Sequence, residues 1–185
     1  MEWAIPLQKL EVGKIQIAKL QDYEKSIVPL GYFDGTYTFP FLNILLPTLT
    51  VEQFEPSNGK LILRVDTQEA KLLALQSSLL NAVYIQQTSW FPDTNFSLEE
   101  LKALFKPIIE NKFLYLYFPV QFNNDVHIYK DKQWHTKYIE GMIKKNDTIR
   151  IMFRIQGISF HKNNYKKNWS GKFRLQHRII AILLG

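Results

Sequence analysis

The sequence predicts a mainly-β fold, an OB-fold-like, partly open Greek-key barrel with one or two short helices. About seven or eight short segments have the two-residue alternation of apolar and polar side chains that is typical of strands. Two segments have helical periodicity, and they do not alternate regularly with strands as in parallel α/β folds. The 185 residues, 46 % of them hydrophobic, are sufficient for one well-packed core.

The first part of the chain is divided into an extension and the start of the domain. Residues 1–34 are expected to form an N-terminal arm or an extra strand, and residues 35–185 a single domain. Residues 36–55 are rich in β-branched and aromatic residues. Because Pro40 and Pro47 do not fit a central strand, this segment is expected to be an edge strand or a bent strand.

Two helices are predicted after a strand at residues 60–65. The first opens at Asp66, a capping residue with Glu69 three positions later, and it buries a leucine-rich face. The second opens at Ser97, with Glu100 completing a capping box, and a downstream proline limits its length. A strand–helix–helix order in the middle of the chain follows from these signals.

Three later strands bear on function. Residues 112–118 alternate an aliphatic face with an aromatic face that includes Tyr115 and Tyr117. Residues 148–156 and 172–179 each alternate an apolar face with a face that carries arginine. The aromatic face has two interpretations that the sequence leaves open, since a helix that covered it would make it part of the core.

The connection between the last two strands, residues 157–171, is expected to be a polar loop. A connection of fifteen residues is either functional or disordered. It holds three lysines together with Phe160, Tyr165 and Trp169. A loop that only maintains solubility has no need of aromatic residues, so this composition favours binding over a disordered tip.

Charge is segregated along the chain. The net charge is +6, but residues 1–125 hold 10 Lys and Arg against 14 Asp and Glu, whereas residues 126–185 hold 13 against 3. A basic excess of this size, interleaved with aromatic residues, indicates an anion-binding surface, and nucleic acid is the most common such partner. The alternative is a solvated basic face that only maintains solubility.

No motif of the common enzyme classes is present. The sequence contains no GxxxxGK[ST], HExxH, GxSxG or GxGxxG motif, and no pair of carboxylates suggests acid–base catalysis. The chain has no cysteine, and its four histidines are scattered, so no metal and no cofactor is expected. No stretch reaches the ~18 apolar residues of a membrane-spanning helix. A soluble, intracellular protein without catalytic activity and without membrane contact is expected.

The residues that remain are those that single-stranded nucleic acid requires. Phosphates need positive charge, and unpaired bases stack on aromatic rings. The predicted binding residues are Arg150, Arg154, Lys172, Arg174 and Arg178 on strand faces; Phe160, Lys162, Tyr165, Lys166, Lys167 and Trp169 in the connection; Tyr115 and Tyr117 on the aromatic strand; and Trp134 in a turn.

Among small barrels the OB-fold fits best, because it accepts a helix between strands and binds ligands through one strand face and two long loops. The segments YTFPFLNILLPTLTVEQFE, GKLILRVD, IRIMFRIQGISF and GKFRLQHRIIAIL, in this order, resemble the OB-fold single-stranded DNA-binding proteins of phages and large eukaryotic DNA viruses. The resemblance covers residues 35–184. It implies non-catalytic coating of single-stranded DNA in viral replication, recombination and repair, at the viral replication site of a host cell. Self-association or replication proteins are the partners it implies.

Two other functions remain open from the sequence. One is an RNA-binding or transcription-associated module on the same barrel, since stacking on aromatic rings does not by itself distinguish ribose from deoxyribose. The other is a structural virion or interaction protein whose basic strands meet an acidic partner.

Overall fold

The computed structural model describes residues 3–118, 126–138 and 140–185. Its secondary structure is mainly β, as the sequence predicts. The strands are β1 (Ile5–Pro6), β2 (Ile15–Ile17), β3 (Gln21–Asp22), β4 (Ser26–Phe33), β5 (Thr38–Phe39), β6 (Leu42–Leu45), β7 (Leu49–Glu55), β8 (Lys60–Arg64), β9 (Phe105–Lys106), β10 (Ile109–Glu110), β11 (Phe113–Tyr117), β12 (His127–Lys130), β13 (Gln133–His135), β14 (Thr148–Lys162) and β15 (Trp169–Leu184). The helices are α1 (Glu69–Trp90), α2 (Leu98–Leu104) and two 3₁₀ turns, Leu7–Lys9 and Val12–Lys14.

The two longest strands, β14 and β15, form the antiparallel hairpin at the centre of the sheet. Strand β15 has an extra residue, Ile180, opposite Met152 and Phe153, and β14 has one, Gln156, just before Gly157. Each such bulge shifts the alternation of the strand by one position. The buried hydrophobic side chains of β14 are therefore odd-numbered before Gln156 and even-numbered after it: Ile149, Ile151, Phe153 and Ile155, then Ile158 and Phe160.

The remaining strands pair along the two edges of this hairpin. The free edge of β14 pairs in succession with β7, β6 and β4, and the free edge of β15 pairs with β9 and β12. The main path through the sheet is β10-β11-β8-β7-β14-β15-β12-β13. The pairings among the described residues do not close this sheet into a barrel.

The first 34 residues take part in the sheet through β1 to β4. Strand β4 pairs with β14 from Gly157 to Phe160. The backbones approach closely there, since a Cβ atom at position 157 would lie 2.4 Å from the carbonyl oxygen of Val28. Glycine is required at this point because any side chain would push β4 off the sheet.

The two helices cover one face of the sheet. Helix α1 buries a leucine-rich stripe, and α2 begins at Ser97 with the predicted capping box: the Ser97 Oγ accepts from the Glu100 N–H, and the Glu100 carboxylate accepts from the Ser97 N–H. The predicted cap at Asp66 is wrong. Helix α1 begins at Glu69, so the N-cap position is Gln68, whose side chain makes no capping hydrogen bond; Asp66 contributes only its main-chain carbonyl, which accepts from the Glu69 N–H. Among the described helices, none is both long enough and apolar enough to cross a membrane.

The predicted fifteen-residue loop at 157–171 is wrong. Strand β14 continues to Lys162 and β15 starts at Trp169, which leaves a connection of residues 163–168. This connection is an ordered turn, since the Asn163 N–H donates to the Asn168 carbonyl. The sequence signal for the strands is weak here because the bulge at Gln156 interrupts the alternation that identifies a strand.

Candidate nucleic-acid interface

A cation-lined groove, called the basic groove below, runs along β15 and the adjoining parts of β14, β9 and β11. It consists of two adjoining cavities of about 680 and 740 Å³, whose linings share Lys25, Lys106, Arg174 and Gln176. We call the first the tyrosine end, because Tyr115 and Tyr117 line it, and the second the lysine end. The cationic residues that line the basic groove are Lys25, Lys60, Lys106, Lys162, Lys167, Lys172 and Arg174.

Positive charge predominates in the basic groove. Its described lining includes two carboxylates, Glu24 and Glu110, against seven cations. Lys162 forms an ion pair with Asp22, whose pKa is lowered by hydrogen bonds from Lys162 and Ser26. Part of the charge of Lys162 is therefore already balanced, and the other cations supply most of the field in the groove.

The tyrosine end combines aromatic rings with ammonium groups. Strand β11 pairs with β8 in a register that sets Tyr117 opposite Lys60. The Lys60 Nζ lies 5.7 Å from the centroid of the Tyr115 ring, and the Lys106 Nζ lies 5.5 Å from that of Tyr117. The Tyr117 side chain is 37 % exposed and Tyr115 is half-buried. The aromatic face of β11 is therefore open to the groove rather than covered by a helix.

A histidine joins the two strands at this end. The Nε2 atom of His177 on β15 accepts a hydrogen bond from the Tyr117 N–H at 3.1 Å. A backbone N–H can only donate, so the His177 proton lies on Nδ1, which donates to the Leu175 carbonyl at 3.3 Å. Burial lowers the pKa of His177 from 6.5 to about 4, with smaller contributions in the same direction from Arg174 and Lys106. The neutral imidazole therefore holds Tyr117 in place at neutral pH.

This geometry predicts a stability that depends on pH. Between pH 6.5 and about 4 the unfolded chain takes up a proton at His177 that the folded chain does not. The free energy of unfolding should therefore fall as the pH drops through this range, by about 1.4 kcal/mol per unit and up to about 3 kcal/mol in all. Urea unfolding at several pH values between 4 and 7 measures this change in the free energy of unfolding. The His177→Gln variant can still accept from the Tyr117 N–H but does not titrate, and it should lack this component; an unchanged pH dependence would contradict the assignment.

Besides Phe160, whose buried ring reaches the wall of the lysine end, six of the predicted binding residues lie together in the basic groove. Strand β15 contributes its outward-facing cations, β11 its tyrosines, and the end of β14 with the adjoining turn two lysines. These six residues are Tyr115, Tyr117, Lys162, Lys167, Lys172 and Arg174.

The prediction that Trp169 and Phe160 stack on bases is wrong. Trp169 is 3 % exposed and Phe160 is 4 % exposed. The Trp169 ring lies 4.9 Å from Phe91 and 5.3 Å from Phe96, and its indole N–H donates to the Lys172 carbonyl at 2.9 Å. Strand pairing turns both side chains toward the core, where they hold the helices against the hairpin.

Three predicted arginines lie outside the basic groove. The Arg150 Nε donates to the Leu46 carbonyl. The Arg154 Nε donates to the Asn43 side chain at 2.8 Å, and its guanidinium lies 4.0 Å from the centroid of the Phe41 ring. Half-buried Arg178 is directly opposite Arg154 in the hairpin. The bulges of the hairpin and the changing partners of β14 explain these positions. Side chains that the alternation assigns to one strand face lie on separate parts of the surface.

The other aromatic and basic predictions lie on exposed projections. Tyr165, which is 98 % exposed, and Lys166 lie at the tip of the β14–β15 turn, outside the basic groove. Trp134, 60 % exposed, lies on the β12–β13 hairpin with its ring 5.0 Å from Tyr129 and 6.4 Å from His127. This hairpin forms a separate aromatic surface.

Sequence reasoning missed three cations of the groove. Lys25, Lys60 and Lys106 belong to the part of the chain whose net charge is negative. Lys106 reaches the groove because β9 pairs in parallel with β15, in a register that sets it beside Arg174. Only Lys60 carried a local signal, since it opens a predicted strand, but its tyrosine partner depends on the long-range pairing of β8 with β11.

No family model matches the chain, and no curated protein matches it. Within the described ranges, no three side chains of the metal-binding types come together as a ligand set.

Proposed function

We propose that this protein binds single-stranded DNA in the basic groove and performs no chemistry on it. The observation that carries the proposal is the convergence of cations from four separate chain segments on one groove that is also lined by tyrosines, Tyr115 and Tyr117 at one end and Tyr23 at the other. Strand-coating during viral DNA replication, recombination and repair is the corresponding role, and the resemblance of residues 35–184 to viral and phage DNA-binding proteins supports it.

The cations supply affinity that is independent of base sequence. Each phosphate that a lysine or arginine neutralises releases condensed counterions. Cations occur along the whole groove, from Lys60 at the tyrosine end through Arg174 to Lys172 at the lysine end. Such a track suits a polyanion with regularly spaced charges better than it suits a single small anion.

The tyrosines favour a single strand over a duplex. A base stacked on an aromatic ring contributes ~1–3 kcal/mol, but the face of a base is available only when the strand is unpaired. The lysine amines over Tyr115 and Tyr117 contribute only ~0.5–1 kcal/mol each at exposed sites. It is therefore favourable for each ammonium group to leave its tyrosine ring and bind a phosphate while a base stacks on the ring.

The proposal predicts salt-dependent binding to oligo(dT). Fluorescence anisotropy with a labelled oligonucleotide, measured from low to moderate salt, should give a linear plot of log K against log salt. For single strands, the slope of this plot should be about −0.7 per phosphate contact, or about −3 for four contacts. Unlabelled duplex DNA should compete only weakly for the protein. Unlabelled poly(U) in the same assay measures the preference between ribose and deoxyribose. Absence of binding at low salt, or equal affinity for duplex, would overturn the proposal.

A further inference from the structure

We propose that the tyrosine end of the basic groove is a pocket for one unpaired nucleobase, stacked on Tyr117 and hydrogen-bonded at its edge by the side-chain amides of Gln156 and Gln176. This inference rests on the proposed function and specifies how the groove treats bases as distinct from phosphates.

The two glutamines form a pair within this cavity. The Gln176 Nε2 donates to the Gln156 Oε1 at 3.1 Å, and both half-buried side chains line the cavity that Tyr115 and Tyr117 line. Gln156 is the extra residue of the β14 bulge. Bulges redirect a side chain, and this one brings an amide beside that of the neighbouring strand.

The pair leaves one amide nitrogen and one amide oxygen available to a ligand. An amide has one oxygen that accepts and an amino group that donates twice. After their mutual bond, the Gln156 amino group and the Gln176 oxygen have no other partner among residues 3–118, 126–138 and 140–185. If oxygen and nitrogen are exchanged in both amides, the two residues exchange roles, and one donor and one acceptor are again left over.

This pattern fits the edge of a base and not a phosphate. A base edge combines donors and acceptors, and glutamine is a common reader of such edges. A phosphodiester has no donor for the free amide oxygen. Charge does not distinguish the two ends, since each has one carboxylate in its described lining, Glu110 here and Glu24 at the lysine end, and cations line both; the amide pair does distinguish them. The amides thus assign a base to the tyrosine end, while the cations along the groove contact the backbone on either side of it.

The cavity has suitable dimensions and a ring on which to stack the base. Its volume of about 680 Å³ lies within the range of small-molecule sites. The Lys106 ammonium over the Tyr117 ring is carried by a flexible four-carbon chain, so it can leave the ring for the adjoining phosphate. The hydrogen bond from the Tyr117 N–H to His177 fixes the strand that carries this ring.

An abasic scan tests the pocket without any change to the protein. The probe is the shortest oligo(dT) that retains full affinity, so that the strand cannot slide to avoid the lesion. Single abasic sites are placed at each position in turn. One position, or two adjacent ones, should weaken binding several-fold more than the others. Equal losses at every position, or no loss anywhere, would overturn the base pocket.

The double variant Gln156→Leu with Gln176→Leu tests the amides. Replacing both partners by apolar groups leaves no orphaned amide, so the fold should be retained. Affinity for the same oligonucleotide should fall about threefold to tenfold, equivalent to one or two hydrogen bonds, with an unchanged salt slope because no phosphate contact is lost. The matched control is Gln133→Leu on the β12–β13 hairpin, which should bind like the unaltered protein. If the double variant unfolds, Gln176→Asn shortens one amide and should show a smaller loss with the same unchanged slope.

The outcomes separate this inference from the proposed function. If the unaltered protein does not bind oligo(dT), the proposed function fails. If it binds with the expected salt dependence while the double variant binds equally well, only the base pocket fails. A reduced salt slope in the double variant would place a phosphate at the amides and would also overturn the pocket.

Discussion

The Trp169→Ala variant is expected to lose about 3–5 kcal/mol of unfolding free energy, the usual cost of removing a large aromatic side chain from a core. Trp169 lies at the centre of an aromatic cluster that joins β15 to the end of α1 and the start of α2. Its ring contacts Phe91, Phe96, Phe160 and Phe173, at centroid distances between 4.9 and 6.1 Å. Removal also leaves the Lys172 carbonyl without its indole donor.

Urea unfolding followed by circular dichroism measures this loss. The matched control is Tyr165→Ala, four residues earlier, because Tyr165 is 98 % exposed and should change the free energy by no more than about 0.5 kcal/mol. A Trp169→Ala variant as stable as the unaltered protein, but with weaker binding to oligo(dT), would show that the indole is a stacking surface and not part of the core.

The Lys106→Ala, Arg174→Ala double variant is expected to have the largest effect on binding. Both side chains line both ends of the basic groove, and the parallel pairing of β9 with β15 sets the two residues side by side. Loss of two charged hydrogen-bond donors costs about 3 kcal/mol or more, equivalent to about a hundredfold in affinity. The salt slope should become shallower by about 1.4, or 0.7 for each lost phosphate contact.

The control for this variant removes the same number of charges elsewhere. Lys132→Ala with Lys137→Ala changes two exposed lysines beside the Trp134 hairpin. If binding depends on the groove, this control should lower affinity only slightly, through the net charge. Equal losses in the two double variants would mean that the whole basic surface attracts nucleic acid without a defined site.

Local signals in the sequence were sufficient for many individual elements. The capping box at Ser97 was predictable because its two hydrogen bonds join residues three positions apart. The strand at 113–117 was predictable because its alternation is strong and uninterrupted. The extension of β14 to Lys162 was not, since the bulge at Gln156 breaks the alternation and only the pairing with β4 and β15 sustains the strand beyond it.

The site was only partly predictable for the same reason. Alternation showed that Lys172 and Arg174 face away from the core, and this assignment agrees with the structure. Alternation could not show that Arg154 contacts Phe41 while Gln156, two residues later on the same strand, lies in the groove. Which cations share a groove depends on long-range pairing, and neither charge counts nor periodicity contain that information.

Aromatic residues posed a related difficulty. Tyr165 and Trp169 occur in the same basic segment and have the same composition around them, yet one is fully exposed and the other is buried. The difference arises because Trp169 is the first residue of β15 and faces the helices, whereas Tyr165 lies on the turn. An aromatic residue among lysines therefore indicates binding only where the structure leaves its ring accessible.

Lysine footprinting tests the central claim most directly. The protein is acetylated briefly with and without a short oligo(dT), and the modification of each lysine is measured by mass spectrometry. Lys25, Lys60, Lys106 and Lys172 should be protected by the oligonucleotide, because they line the basic groove from one end to the other. Lys132 and Lys137 should react equally in both samples. Protection of the hairpin lysines with unchanged reactivity of the groove lysines would contradict the account.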